Sequence, residues 1–148
     1  MKTNKEKCLK MWEWLRDHPG NTKKYYFENK SIPINERPHN LCFACESAIT
    51  RTKKYNPMPV HFCLECPIHF PSKYKIKDKI YPVDKLYPCA ENKSPYRKWS
   101  EIVCSLGFSS IVGTPEVKRK PTLSSYKEKF LKKHADDIIK LIKETWKE

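Results

Sequence analysis

Two Cys-x-x-Cys pairs are the residues of this chain whose types and spacing point most clearly to chemistry. Cys42 and Cys45 form the first pair and Cys63 and Cys66 the second, with seventeen residues between the pairs. Each pair can turn back on itself and present two thiolates to one ion, and this separation is typical of two pairs that close on one tetrahedral zinc. Disulfides or unligated thiols are the alternatives, whereas a thioredoxin-like dithiol needs only one pair, between a strand and a helix. The pattern predicts a structural zinc ion bound by all four cysteines.

Other side chains near the pairs could replace a thiol that points away from the metal. Cys89 is the first substitute and His69 the second. For His61 and His69 a structural role is the better interpretation, because four cysteines already complete the zinc shell. A short cysteine-rich module buries too little apolar surface to fold unaided. The metal should therefore contribute folding free energy, and chelation should unfold the middle of the chain, about residues 39–71.

The net charge is the second strong feature of the sequence. Thirty Lys and Arg against 17 Asp and Glu give +13. Such an excess favours a polyanionic partner: DNA, RNA or an acidic protein surface. A lysine-rich composition without any specific anionic partner is the alternative.

Alternating lysines mark residues 73–81, where the period of two predicts a strand with lysines along one face. Those lysines either follow a phosphate backbone or protect an edge strand from unwanted pairing. A loop between the cysteine pairs and a loop before the C-terminal helix add further basic residues. The side chains that we expect to contact nucleic acid are Lys53, Lys54, Lys73, Lys75, Lys77, Lys79, Lys118, Arg119 and Lys120.

Helical patterns begin close to the N-terminus. Thr3 and Glu6 predict a capping box at the start of a helix over residues 4–18. Cys8 lies on the apolar stripe of this helix, so we expect it to be a small buried side chain rather than a metal ligand. A short helical turn with three adjacent aromatic residues, 25–27, follows and is expected to pack in the core.

Two further helices are predicted in the second half of the chain. Ser94 followed by proline predicts a helix over residues 94–106. A long amphipathic helix should begin near Ser125, with Glu128 as its capping partner, and run for about twenty residues. Its polar side mixes lysines with acidic residues, which is typical of a solvated face.

Together these patterns predict an α+β fold. Its core would be a small zinc-stapled double knuckle, similar to a zinc ribbon, with short strands packed by helices and a long C-terminal helix. We expect residues 1–110 to form the zinc-stabilised domain and residues 122–148 to form the amphipathic helix, which packs on the same domain or projects from it. The segment from Glu46 to Phe62 is expected to be a loop.

Signatures of catalysis are weak. His39 and Asn40 beside a cysteine pair are similar to part of the HNH nuclease pattern, but no His-His or Asp-His pair precedes them at a useful distance. Zinc deaminases need proline before the Cys-x-x-Cys, whereas Pro67 follows it here. The chain has only 3 glycines, and none forms a phosphate-binding loop. We therefore expect no enzymatic activity, with an unrecognised nuclease as a minor alternative.

Several motifs occur in a fixed order: Lys-Met-Trp-Glu-Trp-Leu at 10–15, Cys-Phe-Ala-Cys-Glu at 42–46, Cys-Leu-Glu-Cys-Pro-Ile at 63–68, then Cys89 and Ser-Pro-Tyr-Arg-Lys-Trp at 94–99. This order resembles a group of small cysteine-rich bacteriophage proteins that are mostly uncharacterised, over about residues 8–100. The resemblance implies a phage-encoded accessory protein expressed inside a bacterium. It favours zinc at the two cysteine pairs, makes Cys89 a fifth candidate ligand and brings no catalytic residues.

The function predicted from the sequence is therefore that of a non-catalytic, zinc-containing accessory protein. It would bind DNA or RNA through a basic surface in the cytoplasm of a bacterial host. The alternative is an inhibitor or modulator of a host protein, such as a defence system or a nucleic-acid-processing enzyme, that binds through an aromatic-rich surface. No apolar stretch is long enough to span a bilayer, so we expect no membrane partner.

Overall fold

Five α-helices and one turn of 3-10 helix make up the regular structure of the described residues. The computed structural model describes residues 2–38, 41–55, 66–70, 89, 94–106 and 123–147. The α-helices are α1 (Asn4–Asp17), α2 (Lys23–Asn29), α3 (Phe43–Tyr55), α4 (Pro95–Ser105) and α5 (Ser125–Thr145). The 3-10 turn is Ile34–Glu36.

The predicted α+β class is wrong for the part of the chain that the structure describes, which is helical and contains no strand. The predicted double-knuckle core is also wrong. Apolar helix faces form the core, and the first cysteine pair opens a helix instead of a knuckle. The expected loop from Glu46 is helical as far as Tyr55, because α3 buries Ala44 and Ala48 one turn apart. The alternating segment 73–81 lies outside the described residues.

The helix starts follow the capping signals of the sequence. Thr3 Oγ1 accepts from the Glu6 amide at 3.2 Å, and a Glu6 carboxylate oxygen accepts from the Thr3 amide at 2.7 Å, so the predicted capping box is confirmed. The long C-terminal helix is confirmed as well. Its cap is Ser124 rather than the next residue, because Ser124 Oγ accepts from the Lys127 amide at 3.2 Å.

One face of α5 packs against α1 and α4 to form the core. Trp12 on α1 and Trp99 on α4 meet edge to face, with ring centroids 4.9 Å apart and planes at 78°. Such pairs add about 0.5–1.5 kcal/mol beyond their buried area. From α5 the buried apolar residues are Leu131, Ala135, Ile138, Ile139 and Ile142. Cys8 is fully buried among them, as the sequence predicted.

The long helix therefore lies back on α1 and α4. Among the described helices, none combines the length and the apolar character that a bilayer crossing requires. The boundary predicted between residues 110 and 122 falls outside the described residues.

Replacing Ile138 by alanine tests the packing of α5. Because Ile138 is completely buried, Ile138→Ala should lower the free energy of unfolding by about 2–5 kcal/mol in urea denaturation. Ile34, which is 81% exposed, supplies the control, and Ile34→Ala should change stability by less than about 0.5 kcal/mol. Equal effects of the two substitutions would contradict the burial of α5.

Candidate metal centre

Cys42 lies at the N-terminus of α3, where helix geometry concentrates unpaired amide groups. Its carbonyl oxygen accepts the first helical hydrogen bond, from the Glu46 amide at 3.0 Å. Its sulfur accepts from the backbone amides of Ala44 and Cys45. Leu41, just before it, has a φ of 51°, an unfavourable value for a non-glycine residue that turns the chain into the helix. The position therefore favours a negatively charged sulfur.

The two thiols of the first pair contact each other. The thiol of Cys45 donates to Cys42, and this hydrogen bond, together with the positive charge of Lys23, lowers the pKa of Cys42 to about 6 despite its burial. The same contact, with burial, raises the pKa of Cys45 well above its ordinary value. In this arrangement Cys42 is a thiolate at neutral pH and Cys45 remains a thiol.

Lys23 is the basic residue of this site, and the sequence did not predict its role. It begins α2, after the Thr22 cap, and is buried. Its Nζ lies 4.6 Å from the centroid of the Tyr96 ring. Burial alone would lower the pKa of Lys23, but Tyr96 and the negative charge of the Cys42 thiolate hold that pKa above its ordinary value. No local pattern marks this lysine, because first-turn lysines are usually solvated.

Three more cysteines lie in the same electrostatic environment. Cys66 and Cys89, both half-buried, act with Cys42 to raise the pKa of Cys45. The pKa of Cys8 is raised first by its own burial, and Cys42 and Cys66 raise it further. None of the cysteines that the structure describes forms a disulfide. Five cysteines from separate parts of the chain thus share one neighbourhood, which we call the cysteine cluster.

The segment that carries Cys66 is attached to the end of α5. The Lys147 amide donates to the Pro67 carbonyl at 3.1 Å, and the His69 amide donates to Thr145 Oγ1 at 2.9 Å. Ile68 is buried in the core. The side chain of His69, the second substitute ligand predicted from the sequence, is exposed.

The described side chains do not form a preassembled metal site. Within the described ranges, no group of three or more His, Cys, Asp or Glu side chains is arranged to hold an ion. Of the four predicted ligands, Cys42, Cys45 and Cys66 are described and share the cysteine cluster, whereas Cys63 lies outside the described residues. His39 and His61 lie outside them too.

The predicted nucleic-acid contacts fall mainly in other parts of the chain. Lys53 and Lys54 lie in the last turns of α3 by their backbone positions. Lys73, Lys75, Lys77, Lys79, Lys118, Arg119 and Lys120 lie outside the described residues. These contacts therefore stay predictions.

Comparisons of the chain with protein families, curated proteins and solved structures find no match.

The ionisation of Cys42 can be measured directly. In metal-free protein, the pH dependence of iodoacetamide labelling, followed by mass spectrometry of the Cys42 peptide, should show a midpoint at about pH 6. Cys45→Ala should move the midpoint upward, because it removes the thiol that stabilises the thiolate. Cys104→Ala, at an exposed position on α4, is the control and should leave it unchanged. A wild-type midpoint near the ordinary thiol value of about 8.5 would contradict this geometry.

Proposed function

We propose that this protein is a non-catalytic nucleic-acid-binding protein, of the phage accessory type, whose cysteine cluster holds a structural zinc ion. The observation that carries the nucleic-acid part is the net charge of +13. Such a charge attracts polyanions over a long range and supplies most of the affinity of non-specific nucleic-acid binding.

Ion pairing along α5 indicates where phosphate contacts are least expected. Part of its outer face is neutralised by three ion pairs one turn apart, which are Lys132 with Glu128 at 3.3 Å, Lys133 with Asp137 at 2.9 Å and Lys140 with Glu144 at 4.0 Å. Exposed pairs of this kind contribute only a few tenths of a kcal/mol each, but they reduce the positive potential of that face. The mixed charges agree with the solvated face predicted from the sequence.

The start of α1 offers a more suitable surface. The exposed ammonium groups of Lys2 and Lys10 lie next to each other, and this contact lowers the pKa of Lys2 from its ordinary value. Glu6, between them, is already engaged in the capping box. Two adjacent ammonium groups repel each other, and a bridging phosphate would relieve that repulsion. We add Lys2 and Lys10 to the expected phosphate contacts.

The cysteine cluster has the chemistry of a zinc site. Zinc binds thiolates, and the α3 N-terminus together with Lys23 already stabilises negative charge on Cys42. A zinc ion bound by four thiolates carries a net charge of −2, so a buried ammonium group beside it would compensate part of that charge. We assign Cys42, Cys45 and Cys66 as ligands, with Cys63 as the fourth and Cys89 as its substitute.

A host-protein partner is the competing function. A surface that binds a host protein should present a contiguous group of exposed aromatic or aliphatic anchors. In the part of the chain that the structure describes, the large apolar side chains that are exposed are Ile34 at 81% and Tyr126 at 70%, on different elements. This gives the protein-partner hypothesis less support than the charge gives to nucleic acid.

Native mass spectrometry of purified protein tests the metal. We expect one zinc ion per chain, lost in Cys42→Ser and in Cys45→Ser because each removes a thiolate ligand. Cys104→Ser, at an exposed cysteine on α4, should retain the ion. Folded wild-type protein without metal, after expression in zinc-supplemented medium, would contradict the zinc proposal.

Fluorescence anisotropy with labelled single-stranded DNA, duplex DNA and RNA tests the partner. Binding should be saturable at about 150 mM salt, and the logarithm of the affinity should fall linearly with the logarithm of salt concentration. Lys2→Ala with Lys10→Ala should weaken binding and make the slope shallower by about two phosphate contacts. Lys132→Ala, at a lysine on α5 that is paired with Glu128, is the control. Binding that is lost at 150 mM salt, or that is equal for every polyanion, would mean that the charge has no specific nucleic-acid role.

A further inference from the structure

Three rings form an aromatic row along the first turns of α5. Tyr126 and Phe130 are in contact, with ring centroids 4.5 Å apart and planes at 49°. Phe130 in turn lies 5.9 Å from the ring of His134. His134 is buried, and its Nδ1 has no hydrogen-bond partner among the described residues, so its ring takes part in the row by packing alone. The inner end of the row is therefore fixed in the protein.

The outer end of the row is open to solvent. Tyr126 is 70% exposed, whereas Phe130 is half-buried beneath it. Aromatic residues one turn apart stabilise a helix slightly, and that gain does not require the outer ring to face water. A flat exposed ring that is supported from below also offers a surface on which another planar group can stack.

Basic side chains surround this exposed ring. Residues 125–133 contain four lysines and one acidic residue, Glu128. Glu128 lies two positions after Tyr126, so it faces another side of the helix, and it is paired with Lys132 at 3.3 Å. Lys129 lies three positions after Tyr126 and is therefore its neighbour on the helix surface. Lys129 is exposed, and none of the ion pairs among the described residues includes it.

The remaining charges near the ring do not cancel that of Lys129. Lys127 Nζ donates to Ser105 Oγ at 3.3 Å, and this neutral partner leaves the positive charge uncompensated. Asp137 lies on the same side of α5 as Tyr126 but about three turns further along, and it is paired with Lys133 at 2.9 Å. The described surroundings of the ring are therefore positive.

An exposed ring beside an ammonium group matches the chemistry of a nucleic-acid strand with unpaired bases. Such a base has a free face that stacks on an aromatic side chain, and its phosphate is attracted to the lysine. The bases of a duplex are already stacked on both faces. An acidic peptide would satisfy the lysine but would leave the ring without a planar partner.

We propose that the first turns of α5 bind single-stranded nucleic acid, with an unpaired base stacked on Tyr126 and a neighbouring phosphate bound by Lys129. This proposal rests on the nucleic-acid function proposed above and specifies the form of the strand. The site is separate from the cysteine cluster and from the start of α1.

Two labelled strands of equal length and charge test the stacking. One is an oligothymidylate and the other is an abasic strand with the same phosphate backbone. Fluorescence anisotropy of the zinc-loaded, full-length protein at about 150 mM salt should show at least about fivefold tighter binding of the oligothymidylate, because the abasic strand has no base to stack. Tyr126→Ala should remove most of this preference and leave the affinity for the abasic strand unchanged. Tyr126→Phe should keep the preference, and Ile34→Ala, at an equally exposed apolar residue, is the control.

The salt dependence tests the phosphate contact. Lys129→Met should weaken binding of both strands and make the salt slope shallower by about one phosphate contact. Tyr126→Ala should leave the slope unchanged, because the ring contacts no phosphate. Lys143→Met removes an equal charge from an exposed position further along α5 and should have little effect.

The outcomes separate this proposal from the function on which it rests. Equal affinity of the wild-type protein for the two strands, or a preference that survives in Tyr126→Ala, overturns the stacking site and leaves nucleic-acid binding through other residues intact. A wild-type protein that binds neither strand nor duplex DNA overturns both proposals. Circular dichroism confirms that each variant is folded.

Discussion

The buried face of α5 holds together the parts of this molecule that carry its chemistry. Leu131, Ile138 and Ile142 pack on α1 and α4, and burying each such side chain contributes about 1.5–3 kcal/mol. The C-terminal end of α5 also holds the segment of Cys66 through two hydrogen bonds. On its other side α1 packs against α3, where Asn4 Nδ2 donates to Ser47 Oγ at 3.0 Å. The start of α3 and the segment of Cys66 are therefore attached to one helical core.

This arrangement changes the role expected of a metal. In a cysteine-rich knuckle the ion supplies the folding free energy, because little apolar surface is buried. Here the helices bury large side chains such as Trp99 and Phe27 in a shared apolar core. A zinc ion would act locally, by joining the start of α3 to the segment of Cys66. Lys23 makes such a site compatible with burial, since its ammonium group lies near both Cys42 and Cys45.

The sequence predicted those elements whose signals are local. The capping box at Thr3, the helix from Pro95 and the long helix from Ser125 follow from caps and from broad apolar stripes. The fold class was wrong because Cys-x-x-Cys spacing fits two geometries: a knuckle, and the first turn of a helix, where residues three apart are neighbours. The buried face of α3 depends on small side chains, such as Ala48, which give a weak periodic signal. Neither the buried Lys23 nor the orphaned Nδ1 of His134 could be predicted, because both depend on contacts between distant segments.

Hydrogen exchange of the zinc-loaded protein can be measured with and without a strong chelator. The measurement tests whether the helices stabilise the fold while the metal joins only the start of α3 and the segment of Cys66. The amides of α1, α4 and α5 should remain protected after chelation. The first turn of α3 and residues 66–70 should lose protection. Loss of protection throughout the chain would show that the metal organises the fold, and it would contradict this account. Unchanged protection at every amide would contradict the assignment of zinc to the cysteine cluster.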